Sequence, residues 1–416
     1  MNRREFIGAS GAGLVGAGIA SATPRVPAGP NDVLHIGIVG PGGRGSSLMK
    51  EFFQSSKQQN AQLTAVCDIW SLRRETAAAR VKEAQGTAPK VYRRFEEMLA
   101  DKDVDAIIIA TPDHAHGKLL TQAVEAGKDV YCEKPMANVL EEANQALDAV
   151  KRTKRIVQIG TQRRAYSQYQ EAARLMREGV VGDIVKVDCV FNDYSPYRWA
   201  TKPEEIAKVK ESDTDWKTWL LGKPNRPFDP RIYRAFRLFK DFSSGIIDQW
   251  MTHMIDAVHM LTGQSYPRNA VALGGIYHYH DYRENPDTIQ VLLEYGPDKK
   301  KFLTTYATQL SNATGTSCQV QGTRGTLEFE NKFRVTGEGV RSADAFKGTR
   351  EIPGKEATIE HMTNWLQCVR SRDSKALFAG AEAGYGHSVA CIMSNDAFWA
   401  GRRMTFDPAK RSIQPG

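Results

Sequence analysis

The run VLHIGIVG (33–40) leads without a break into Gly40-Pro41-Gly42-Gly43-Arg44-Gly45. A G-x-G-x-x-G that ends an aliphatic, β-branched run and opens a helix-like segment constrains the fold strongly. Gly40 permits the tight turn, Gly42 lets the backbone approach a pyrophosphate, and Gly45 lets the helix pack on the strand. The free N–H groups of that helix then face the phosphates. Asp68 closes the next apolar run, LTAVCDI, 23 residues after Gly45. A carboxylate there binds both ribose hydroxyls of NAD and repels the 2′-phosphate of NADP. Arg73 and Arg74 follow closely and can neutralise such a phosphate, so NAD is the first expectation and NADP stays open. Gly40, Gly42, Gly43, Arg44, Gly45 and Asp68 are the candidate cofactor residues of this stretch.

The same rhythm continues downstream. Strand-like runs (VDAIIIATP, KDVYCEKP, RIVQIGTQ) alternate with helix-like segments such as HGKLLTQAVEAG and LEEANQALDAVKRT. This is the pattern of a parallel, doubly wound Rossmann sheet, expected over 33–160. After Gly160 the strands alternate more loosely, as in DIVKVDCVF, TIQVLLEYG and KFLTTYATQ. Residues 161–416 therefore read as a second α/β domain with a large, mostly antiparallel open sheet. A Pro/Trp/Arg-rich insertion interrupts it at 195–240, and a helix at 380–400 reads as the last regular element. The chain has 416 residues and a net charge of +8, with 25% of residues charged. Its charges are interleaved rather than clustered, which argues against a nucleic-acid partner. Six cysteines without C-x-x-C spacing read as buried small hydrophobes and not as a zinc site. His278 and His280 lack a third ligand, so no metal is expected.

The N-terminus, MNRREFIGASGAGLVGAGIASA, has paired Arg3-Arg4, a weakly apolar Gly/Ala run and a small-residue end. It reads as a twin-arginine export signal over 1–22, followed by a Pro/Gly linker over 23–32. A periplasmic or extracellular location is expected. Beyond the signal no apolar run is long enough for stable membrane insertion.

Four motifs then fall in order. G-x-G-x-x-G is followed by Thr111-Pro112-Asp113-His114-Ala115-His116, then by Glu133-Lys134-Pro135 at a strand end, then by Gly160-Thr161-Gln162-Arg163-Arg164. With the later His253-Met254-Ile255-Asp256-Ala257-Val258-His259, this set resembles the Gfo/Idh/MocA oxidoreductases, named for glucose-fructose oxidoreductase and inositol dehydrogenase. The resemblance implies a Rossmann domain, and a C-terminal domain whose sheet covers the active site and supports a homo-oligomer. It implies that Thr111, Pro112, His116, Glu133, Lys134 and Gln162 join the cofactor set. Lys134 would lie by the nicotinamide and the reacting hydroxyl, and His253 would be the general acid/base. Arg164, Tyr166, Arg237 and Asp256 stand as candidate substrate contacts. Trp216, Trp219, Tyr233 and Phe236 of the insertion could stack on a sugar face or form core.

One departure matters. The family often carries an Asp four residues before the catalytic His, and here that position is Gln249, with the carboxylate at Asp248. Five residues turn an α-helix by about 500°, so Asp248 and His253 would not share a face. Either the helix starts late and Asp248 reaches the site, or Gln249 acts without charge. An exported enzyme of this kind needs a tightly held cofactor that is regenerated in place. With that, the resemblance implies an NAD(P)-dependent oxidoreductase acting on a sugar, polyol or glycoside hydroxyl. The alternative is an NAD-dependent glycosidase-like cycle of transient oxidation, elimination and hydration.

Overall fold

The computed structural model describes residues 32–195, 197–338 and 347–416. The proposed export signal and nearly all of the linker lie outside the described residues. Six strands form the first sheet: β1 (Leu34–Val39), β2 (Ala61–Cys67), β3 (Lys90–Tyr92), β4 (Ala106–Ile109), β5 (Asp129–Cys132) and β6 (Val157–Ile159). They are all parallel and run in the order β3-β2-β1-β4-β5-β6. This is the doubly wound Rossmann order, in which ligands sit beyond the carboxyl ends of the strands where the order reverses. Strand β4, AIII, is fully buried, as expected for a parallel strand covered on both faces. The short β3 (KVY) is too small to show a period in the sequence.

One cover of this sheet comes from far along the chain. Helix Thr358–Ser371 packs Met362, Trp365 and Leu366 into the same apolar cluster as Leu34, Ile36 and Ile38 of β1.

The second sheet has ten strands. They are β7 (Ile184–Val190), β8 (Asn269–Gly275), β9 (Thr288–Tyr295), β10 (Phe302–Gln309), β11 (Ser317–Gly322), β12 (Gly325–Phe329), β13 (Arg334–Gly337), β14 (Thr349–Glu351), β15 (Met404–Asp407) and β16 (Ser412–Pro415). Their order is β14-β13-β12-β11-β7-β10-β9-β8-β15-β16, and only the β7–β10 pair is parallel. Helix Ala381–Ala400 is therefore not the last regular element, because β15 and β16 follow it and extend the sheet. These strands are four residues each, below the length at which alternation can be read. One sheet face buries Val187, Leu293, Thr304 and Tyr306 under helices that include Thr252–Thr262 and Ala381–Ala400. The other face leaves Leu273, Leu292 and Leu303 exposed.

All six cysteines are buried free thiols. The insertion folds into short helices around its own aromatic cluster. There Trp216 and Trp219 stack at 4.8 Å and 13° beside Phe236 and Phe242. That cluster leans over the strand ends of the first sheet.

Candidate functional site

A cleft of about 730 Å³ opens at the carboxyl ends of β1, β2, β4 and β5, a size suited to a cofactor or small ligand. Its floor is the glycine turn. Gly40 has φ +75°, and a Cβ there would lie 2.8 Å from the Ala110 carbonyl. A Cβ on Gly45 would meet the Gly40 oxygen at 2.3 Å, so Gly45 is packed beneath the turn and does not line the cleft. Around Gly42 and Gly43 no atom lies within 4 Å of the Cβ position. These two residues leave room for phosphate oxygens at the start of helix Gly43–Ser56. Asp68 accepts a hydrogen bond from Trp70 N–H (2.9 Å), and burial pushes its carboxyl up to about 6. The residues present thus fit a dinucleotide.

The turns after β4, β5 and β6 are tied together under the cleft. Both ring nitrogens of His116 face carbonyl oxygens, Pro135 at 2.7 Å and Thr111 at 2.9 Å. Arg44 donates to Glu133 (2.7 Å) and to Glu51 (2.7 Å). Gln162 donates to Glu133 (3.1 Å) and to the Tyr131 hydroxyl (3.0 Å). Arg44, Glu133 and Gln162 therefore brace the floor as well as line it. Thr111, Pro112 and Lys134 complete this wall.

The opposite wall comes from the second domain. Before helix Thr252–Thr262 the backbone makes a wide π turn over Ile247–Met251, a distortion frequent at functional sites. The turn presents two carbonyls to Lys134, whose Nζ donates to Gln249 O (2.9 Å) and Asp248 O (3.2 Å). An ammonium has three donors, so one remains for the cleft. The Gln249 side chain points the other way and donates to Asp113 Oδ2 (2.6 Å). Ser243 Oγ donates to the same oxygen (2.7 Å). Burial lowers the Lys134 pKa, and the charges of Asp113 and Glu133 oppose that. His253 lines the cleft beside them. Burial, and then the Lys134 cation, hold its imidazole well below the ordinary histidine range, so it is neutral at neutral pH.

Besides Gly45, three expected site residues lie elsewhere. The Asp248 carboxylate turns into the interior and accepts from Ser244 N–H (2.7 Å). Only its backbone oxygen faces Lys134, because the π turn rotates its side chain off the cleft. Arg164 and Asp256, expected to touch substrate, bind each other instead at 2.8 and 3.0 Å. The His387 ring nitrogen lies 3.5 Å from the same Asp256 carboxylate. Although burial pulls it upward, Arg164 and His387 hold Asp256 far below the usual carboxylate range. Asp256 and His387 are buried outright, so the three form a closed structural cluster. Tyr166 does line the cleft, with its hydroxyl 3.1 Å from Thr358 Oγ1. Arg237, Trp219, Tyr233 and Phe236 line it as well, so the insertion's aromatics are core and wall together.

Sequence reasoning missed Asp113, which sits inside a quoted motif, and Ser243. Only the pairing of two distant segments shows that Ser243 and Gln249 converge on Asp113.

A Rossmann sheet with a phosphate-sized glycine turn, faced by a lysine and a neutral histidine, defines a dinucleotide-dependent oxidoreductase fold. The chain belongs to the Gfo/Idh/MocA oxidoreductase family. The family's NAD-binding Rossmann fold matches residues 34–161, and its C-terminal alpha/beta domain matches 221–392. An inositol 2-dehydrogenase/D-chiro-inositol 3-dehydrogenase of Shouchella clausii is 30% identical over 191 residues, covering 45% of this chain and 53% of that protein. A glycosyl hydrolase family 109 protein of Shewanella baltica is 26% identical over 296 residues, covering 66% of this chain and 60% of that one. The chain thus spans little more than half the length of these curated relatives. The WlbA dehydrogenase of Bordetella pertussis, solved with NADH and UDP-GlcNAcA, shares the fold at TM-score 0.66 and 18% identity, covering 90% of this chain and 99% of that one.

Proposed function

We propose that the protein oxidises or reduces a hydroxyl-bearing carbon of a sugar, polyol or glycoside, with His253 as the proton carrier and NAD as its tightly held cofactor. The observation that carries this reading is the meeting of Lys134 and His253 across one cleft whose floor fits a dinucleotide. Bound NAD would supply the hydride acceptor. A neutral imidazole accepts the hydroxyl proton as the carbon is oxidised, and returns it in the reverse direction. The remaining N–H of Lys134 orients the hydroxyl oxygen and stabilises its developing negative charge. Asp113 holds Gln249, and through it the π turn whose carbonyls fix Lys134. The inositol dehydrogenase relative supports a polyol or sugar substrate.

A second reading is favoured by the family 109 glycosyl hydrolase relatives and by an alpha-N-acetylgalactosaminidase of Shewanella oneidensis, 25% identical over 296 residues. In this reading the same two side chains serve a redox-neutral cycle, in which the transient ketone acidifies the neighbouring C–H and the aglycone leaves. Aryl glycosides given to the purified protein without added NAD separate the two. Aglycone release over many turnovers means the glycosidase cycle, and hydride exchange with an added sugar acceptor, the aglycone staying attached, means net oxidoreduction.

The export signal extends the proposal to a periplasmic or extracellular location, where dissociated dinucleotide would be lost. The protein purified from the export route without nucleotide, then denatured, should release near one equivalent of NAD(H) per chain by mass spectrometry. An empty, well-folded protein would sink the resident-cofactor idea. The exposed Leu273, Leu292 and Leu303 on the open sheet face support a homo-oligomer formed through that face, which sedimentation of a Leu273→Lys variant tests.

A further inference from the structure

Five arginines line the cleft, and the guanidinium of three of them has a hydrogen-bond or ion-pair partner. Arg44 is paired with Glu51 and Glu133, Arg93 donates to Thr214 O, and Arg234 lies 3.8 Å from Glu205. The Arg73 guanidinium has no such partner among the described residues, but it sits over the Trp70 ring beside Asp68, at the end of the cleft that fits the cofactor ribose. Arg237 is different. It lies at the other end of the cleft, where Lys134 feels its charge. Among the described residues its guanidinium makes no ion pair and no hydrogen bond, and it rests on the Phe236 ring at 4.3 Å. The charges that act on it are Asp113, attractive, and Arg198, repulsive. Asp113 is already committed to Ser243 and Gln249.

A guanidinium that faces the cleft with five idle donors is a ready partner for an anion. The cofactor's own anion belongs at the glycine turn, away from Lys134. The anion must therefore arrive with the other ligand. Around Arg237 the attraction of Asp113 and the repulsion of Arg198 oppose each other, so the guanidinium's own charge is left to meet a monoanion. The planar fork of a guanidinium matches a carboxylate bidentately.

Building on the oxidoreductase reading above, we infer that the substrate is an acidic sugar of the uronic-acid kind, and that Arg237 selects it by binding its carboxylate. The reacting hydroxyl then lies between Lys134 and His253, while the carboxylate anchors the ring at Arg237. This names a substrate class for the site and gives the insertion a task in specificity as well as in covering the cleft.

The test is equilibrium binding to the NAD-loaded protein. Glucuronate, galacturonate and mannuronate are each compared with their uncharged methyl esters and with the corresponding hexose 6-phosphates. At least one acid should bind about 10- to 100-fold more tightly than its ester, the gain expected of a charge-assisted pair. Arg237→Gln should erase most of that ratio, weakening the acid far more than the ester. Arg237→Lys should keep part of it, since the charge survives and the fork does not. If Arg237→Gln does not fold, the acid-to-ester ratio of the natural protein decides alone. Esters bound as well as the acids, or no acid bound at all, overturns the inference. Tighter binding of a 6-phosphate overturns the carboxylate assignment. Nicotinamide absorbance, followed in the same samples, keeps the two ideas apart. Arg237-dependent acid binding without any absorbance change removes the hydride-transfer reading only. Oxidation of neutral sugars with indifference to the acids removes this inference only.

Discussion

Two buried charge clusters flank the helix Thr252–Thr262, and they look alike in composition. One joins Asp113, Lys134 and Gln249 next to His253, and the other joins Asp256, Arg164 and His387. Each holds a carboxylate and a cation with a histidine near by. The first opens on the cleft and leaves donors unspent. The second is sealed, with Asp256 and His387 almost free of solvent. A residue type therefore does not define a site. Access to a ligand and an unfinished hydrogen-bond inventory do.

The comparison predicts opposite phenotypes. His253→Ala and Lys134→Met should each lower turnover about 10²- to 10⁴-fold, the usual contribution of a positioned proton carrier or oxyanion stabiliser. Their thermal midpoints should stay close to that of the natural protein. Asp256→Asn should do the reverse. It strands Arg164 and costs about 3–5 kcal/mol of stability, while the folded fraction keeps its turnover. Urea unfolding paired with turnover per folded molecule reads both quantities. An Asp256→Asn protein that is stable and inactive would merge the two clusters and return Asp256 to the active site.

The sealed side also sets an acid limit on stability. Burial pushes both His259 and His361 down to about 3, against about 6.5 in an unfolded chain. The unfolded chain thus takes up protons that the folded one refuses. Their contribution is complete above about 6.5 and is lost as pH falls from there toward 3. Asp256 works in the same direction at lower pH, because its depressed carboxyl stabilises the fold only while it is ionised. Asp248 opposes them. Burial raises its carboxyl to about 7, so its contribution is greatest below about 3.9 and is lost as pH rises through 7. Unfolding free energy measured across this range should therefore fall on the acid side. Substituting His259 and His361 together by glutamine should flatten that fall. The open cluster predicts a different curve. The acid limb of kcat/KM should lie below the ordinary histidine value, since burial and Lys134 both hold His253 neutral.

The two clusters also differ in how far the sequence discloses them. The glycine turn, Asp68 and the Glu-Lys-Pro strand end were legible because each is a local pattern with a local cause: a tight turn, a strand end, a break by proline. The four-residue strands β15 and β16 and the three-residue β3 were not, since no period fits within them. Gln249 could be read as a departure, but its partner could not. Asp113 lies 136 residues away in the chain, and the π turn that aims Gln249 has no residue signature. Arg164 and Asp256 misled for the related reason that a charged residue in a motif carries no mark of whether its partner is a ligand or another side chain.

Asp113→Asn sharpens the comparison from the open side. The carboxylate's charge supports the protonated state of Lys134, so its loss should move the alkaline limb of the rate profile to lower pH and reduce kcat/KM by about tenfold. The smallest effect belongs to Ser243→Ala. Ser243 Oγ donates to Asp113, but it also accepts from Gly245 N–H at 3.1 Å, so the hydroxyl serves the π turn as much as the carboxylate. Its removal leaves a buried N–H without a partner and should cost about 1–3 kcal/mol of stability. Gln249 still holds Asp113, so turnover should drop only a few-fold, with the alkaline limb unmoved. If Ser243→Ala instead moves that limb as far as Asp113→Asn does, the hydroxyl governs the ionic state of the pair. Asp113 would then act through geometry and not through charge, and the contrast between an open and a sealed cluster would rest on hydrogen-bond supply alone.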